Sequence, residues 1–151
     1  MENDKTIIVL NKLVEINNDR IEGYKTASEE AEEQDLKALF IQFGLTSQKC
    51  NRELEDEISG LGGTPTRETK TSGKFFRTWM DVKNTLTGHD RVALLNSCEY
   101  GEDHAIETYE KVLTNDLEYL NVEQQTMISS QLALIRADHY RLKSIRDAMV
   151  V

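Results

Sequence analysis

Proline is almost missing from this 151-residue chain, with Pro65 the only one. Glycine is scarce outside one stretch: five of the eight (Gly60, Gly62, Gly63, Gly73 and Gly88) fall between positions 60 and 88. Both residue types interrupt regular structure, so their rarity elsewhere leaves two uninterrupted arms of about 60 residues and one central connector. There are only two cysteines, Cys50 and Cys98. Two cannot build a disulfide framework, and free thiols point to a reducing compartment, the cytoplasm. Cations are also short, with 18 Lys and Arg against 27 Asp and Glu and a net charge of -9. So acidic a chain repels phosphate backbones and anionic lipid, and neither nucleic acid nor a membrane surface is an expected partner. The first apolar run, Ile7 to Leu10, is short and follows Met1-Glu2-Asn3-Asp4, which fits neither a secretory signal nor a membrane span. Glycine-rich phosphate loops, zinc-type Cys/His spacing and long period-two alternation are all absent.

What remains is a globular mixture, 38% hydrophobic and 30% charged, long enough to bury one core without staples. Apolar residues in both arms recur at helical spacing. The first helix, about 4–30, carries Ile7, Leu10, Val14, Ile21 and Tyr24; the second, about 35–60, carries Leu36, Leu39, Phe43, Cys50, Leu54 and Ile58. The third, about 90–114, carries Leu95, Cys98, Ala105, Tyr109 and Val112. The fourth, about 122–148, carries Ile128, Leu132, Ile135, Leu142 and Ile145. Asp35, Asp90 and Asn121 stand as N-caps, the last with Gln124 three residues on. The expectation is an all-α, antiparallel four-helix bundle of two hairpins, forming a single domain. In the connector, about 61–89, Ser72 caps a short helix of about 73–86 with Phe76, Trp79, Met80 and Leu86, either a lid packed on the bundle or a docking patch. Thr64 to Thr71 read as polar and mobile.

The apolar stripes break near the middle of each helix. Asn17 interrupts the first, Ser47 (three before Cys50) the second, and Glu102 the third. His139, with Arg136 three residues earlier, interrupts the fourth. Helix midpoints share one height in an antiparallel bundle, so Asn17, Ser47, Cys50, Glu102, Arg136 and His139 should form one polar layer. A carboxylate there needs a partner, and Arg136, His139 or Asn17 can serve. The arms also echo each other: Asn17 precedes Tyr24, and Glu102 precedes Tyr109, by the same seven-residue step.

That pattern resembles the ferritin-like superfamily, whose rubrerythrin-type members place a Glu seven residues before a Tyr on two helices. They place Glu-x-x-His on the other two and bind two metal ions between them. By that resemblance Glu102 and His139 occupy ligand positions, while Asn17, Ser47, Cys50 and Arg136 stand where the other four ligands would be. More narrowly, the stretches 13–24, 79–83 and 98–103 resemble a bacterial family of ferritin-like four-helix bundles of unknown function. The resemblance implies the fold and no activity.

The expectation is therefore a non-enzymatic, cytoplasmic bundle with a degenerate metal site and no cofactor. Arg136 would pair with Glu102, and the role would be structural or regulatory, through a homo-oligomer or another protein partner. The alternative is a protein that binds iron or another divalent metal, or an oxidoreductase, using Glu102 and His139 with help from Glu99 and Cys50. His89 and His104 read as surface residues, and the acidic run Glu29 to Glu33 as the turn between the first two helices.

Overall fold

The computed structural model describes residues 2–68 and 91–149. Four long helices account for nearly all of them: α1 (Glu2–Glu30), α2 (Gln34–Gly60), α3 (Arg91–Asn115) and α4 (Val122–Met149). A 3-10 turn, Leu117–Tyr119, links the last two. Among the described residues there is no strand, and no helix is long and apolar enough to cross a membrane. The expected connector helix and its Trp79 lie outside the described residues, as do Asp90 and His89.

Cross-helix pairs fix the directions. Arg20 meets Ser47 while Asn18 meets Asn51, so α1 and α2 run antiparallel. Glu110 meets Arg136 and Asn96 meets Arg146, so α3 and α4 do the same. Thr6 reaches Tyr119 and Asn17 reaches Tyr109, which makes α1 antiparallel to α3. Two hairpins so arranged need a crossover along the bundle's length.

The start of that crossover is held in place. Gly62, at φ 85°, ends α2 in the left-handed conformation that glycine tolerates. Its N–H bonds to the Ser59 carbonyl at 3.0 Å, and the Gly63 N–H to the Ile58 carbonyl at 2.9 Å. Asn11 then donates to the Thr64 carbonyl at 3.2 Å and accepts from the Thr66 N–H at 2.9 Å. Asn18 donates to the Glu68 carbonyl at 3.0 Å. Residues 64–68 are thus pinned along α1, contrary to the loose segment expected from their polarity.

Two apolar cores stack along the bundle. One gathers Leu10, Leu13, Val14, Leu54, Ile58, Tyr109, Ile128 and Ile135; the other gathers Tyr24, Ala27, Leu36, Phe40, Phe43, Leu95, Cys98 and Leu142. Between them lies a buried polar layer.

Candidate functional site

The layer is assembled from residues a helical turn or two apart, so each helix presents one face to it. From α1 come Asn17, Arg20 and Tyr24, and from α2 Ser47 and Cys50. Helix α3 supplies Glu102 and Tyr109, and α4 supplies Gln131 and Asp138. Two groups form.

The charged group centres on Arg20. Its Nη1 donates to Ser47 Oγ at 2.6 Å; its Nη2 donates to Glu102 Oε1 at 2.6 Å and to Asp138 Oδ2 at 3.2 Å. The Tyr24 hydroxyl donates to the same Glu102 oxygen, and the Tyr24 ring lies 5.3 Å from the guanidinium carbon. The Arg20 and Glu102 side chains are 1% and 0% exposed, so the pair is wholly desolvated. Burial opposes the arginine's charge, but Glu102, Tyr24 and Asp138 together hold its pKa above the ordinary value. Burial raises the Asp138 carboxyl, with Arg20 pulling the other way. Burial and then Glu102 push the Tyr24 phenol well up.

The second group is neutral except at its edge. Asn17 Nδ2 donates to the Leu13 carbonyl at 2.9 Å and the Tyr109 hydroxyl at 2.7 Å. Tyr109 in turn donates to Gln131 Oε1 at 2.8 Å. Gln131 Nε2 reaches the Cys50 carbonyl at 3.3 Å and Glu53 Oε1 at 3.0 Å. Burial moves the Cys50 thiol from the usual 9.0 to about 11.

Four residues picked from the sequence, Asn17, Ser47, Cys50 and Glu102, lie in this buried layer. Arg136 does not. It is exposed on α4 and pairs at the surface with Glu110 at 2.6 Å. It follows inward-facing Ile135 directly, and one residue is about 100° of helical rotation. His139 is displaced for the same reason: the interior position is Asp138, and His139 faces Asp103 and Glu99 on the rim instead of Glu102. His104, expected at the surface, is half-buried with its ring against Tyr100. Sequence reasoning missed Arg20, Gln131 and Asp138. Arg20 had a signal, since it lies three residues after Asn17 and four before Tyr24.

The fold resembled above implies a pair of metal ions in this layer, and the donor set can be tested against it. Two dications need several anionic oxygens. Glu102 Oε2 has no hydrogen-bond partner among the described residues and is the atom a cation would use. Against that, Asn17, Ser47 and Cys50 bring no carboxylate, and a guanidinium already binds Glu102 Oε1 and Asp138. The residues do not fit a di-metal centre.

The comparisons agree with the architecture. A two-domain protein with DJ-1/ThiJ/PfpI-like and ferritin-like domains, from Anabaena variabilis, superposes with a TM-score of 0.75 at 15% identity. That match covers 99% of this chain and 38% of the other, so this chain spans well under half of that protein. A mutant of Dps1 from Mycobacterium smegmatis superposes at 0.78 with 17% identity, covering 96% of both chains. No curated protein matches. The fold is a ferritin-like four-helix bundle, and since residues 5–115 match the Domain of unknown function (DUF2383), the chain belongs to that family.

Proposed function

We propose that this protein is a ferritin-like bundle in which an arginine replaces the interior metal. On this reading it works as a structural or regulatory interaction protein of the cytoplasm, through its outer surface, with no redox chemistry inside. The observation that carries the reading is the desolvated Arg20–Glu102 pair, made at 2.6 Å in the middle of the bundle. A fixed positive charge there repels a dication and neutralises the carboxylate a metal would need. The outer face offers apolar contacts to a partner or a second copy: Ile41 and Leu45, one turn apart on α2, and Tyr140 on α4 are exposed.

Arg20→Ala should leave Glu102 buried without its cation and cost about 3–5 kcal/mol. Arg136→Ala removes a surface pair and should cost under about 1 kcal/mol. Urea unfolding measures both. Aerobic iron loading of tag-free protein tests the remainder: the reading is overturned by two tightly held irons per chain that are lost in Glu102→Gln and retained in His139→Ala.

A further inference from the structure

The rim of the α3–α4 hairpin carries a second arrangement, independent of the interior. Glu99 and Asp103 are four residues apart on α3 and project on one side of it; His139 approaches from antiparallel α4. One ligand atom from each lies within 4.8 Å of both others. His139 Nε2 is 3.0 Å from Asp103 Oδ1, yet this buried nitrogen has no hydrogen-bond partner among the described residues. The ring thus aims its outer nitrogen at carboxylate oxygens without donating to them.

We propose that Glu99, Asp103 and His139 form a site for one divalent transition-metal ion of the zinc type. One imidazole and two carboxylates are the ligand types such an ion takes in an open site, with water completing its coordination. Bonds of about 2.0–2.2 Å in a tetrahedral set place donor atoms about 3.5 Å apart, so the three groups need only small rotations to close on an ion. Access fits as well: the Asp103 side chain is 64% exposed and that of His139 16%, so an ion enters from solvent while the imidazole stays held. The chain's net charge of -9 favours a cation over an anion at this rim.

Arg146 makes the proposal specific. Its Nη1 contacts Glu99 Oε2 and donates to Asn96 Oδ1, while its Nε and Nη2 donate to Asp147 Oδ1. An incoming ion therefore competes with this guanidinium for Glu99, and removing the competitor should strengthen metal binding. An incidental cluster of surface acids predicts no such gain through a named residue.

The experiment is a zinc chloride titration of chelator-treated full-length protein against a chromogenic competitor. The wild type should bind one zinc per chain. His139→Ala and Asp103→Asn should each weaken binding by about tenfold or more, and Arg146→Gln should tighten it. The two weakening variants change rim residues, and circular dichroism will confirm that helicity is kept. Less than one equivalent in the wild type, unchanged affinity in both His139→Ala and Asp103→Asn, or no tightening in Arg146→Gln would each overturn the proposal. Interior metal would instead respond to Glu102→Gln, so failure here and failure of the arginine-for-metal reading are separable.

Discussion

A guanidinium and a carboxylate can share a dry interior when each substitutes for the other's water and neighbours take up the remaining hydrogen bonds. Ser47, Tyr24 and Asp138 do part of this for Arg20 and Glu102, while Arg20 Nε and Glu102 Oε2 have no hydrogen-bond partner among the described residues. The same burial gives the thiol of Cys50 a pH signature. Its pKa is about 11 in the folded chain against the usual 9.0. As pH rises, the unfolded chain releases that proton first, so between these values the native state holds more protons. Stability is therefore complete below about pH 9 and falls as pH climbs through 11. Tyr24 and Tyr109, both raised by burial, act with the same sign at higher pH. The rise at Cys50 corresponds to about 3 kcal/mol. Urea midpoints at pH 8 and pH 10.5 should lie closer together in Cys50→Ala than in the wild type; an identical gap would clear the thiol of this role. That Glu102 needs a partner is legible in the sequence, because it sits on an apolar stripe. Which arginine answers is legible only in part, from the spacing of Arg20 to Asn17 and Tyr24. Arg20 lies beside Ile21, which competes for the inward face, and a charged residue is read as solvated by default.

Helix ends carry more information than helix middles, because their geometry is local. The N-terminus of α4 reads correctly from Asn121 and Gln124. Asn121 Oδ1 accepts the Gln124 N–H at 2.7 Å, and Gln124 Oε1 accepts the Asn121 N–H at 2.9 Å. That reciprocal pair is a capping box. By contrast, Asp35 lies inside the first turn of α2, and the cap position falls to Glu33, which makes no side-chain cap bond. At the other end of α2, Gly62 is required by its positive φ, and Ile7 packs where a Gly63 side chain would go. Gly62→Ala should cost about 1–2 kcal/mol. Asn121→Ala should cost about 1 kcal/mol. Both are measurable by thermal unfolding, and a neutral Gly62→Ala would mean the turn relaxes to another conformation. The grip of Asn11 and Asn18 on residues 64–68 could not be read in advance, since polarity alone does not tell a pinned segment from a solvated one.

At the scale of the whole molecule, helical periodicity was enough for the bundle, because four apolar stripes have few ways to bury one another. The contents of the polar layer depend on helical phase to within one residue, and on α4 that residue separates Asp138 from His139. The layer itself is built from links between α1 and α3 at two heights: Arg20 and Tyr24 to Glu102, and Asn17 to Tyr109. Seven residues of helix put these about 10 Å apart. One height belongs to the charged group and the other to the neutral group, so the layer should behave as two energetic units. Arg20 and Tyr24 donate to the same oxygen of Glu102, so Arg20→Met and Tyr24→Phe should be strongly non-additive, with a coupling above about 0.5 kcal/mol. Tyr24→Phe and Tyr109→Phe share no partner and should add to within about 0.5 kcal/mol. Double-mutant cycles from urea unfolding give both numbers. Strong coupling between the two tyrosines would mean that the layer acts as one continuous network, with the two cores fastened together through it.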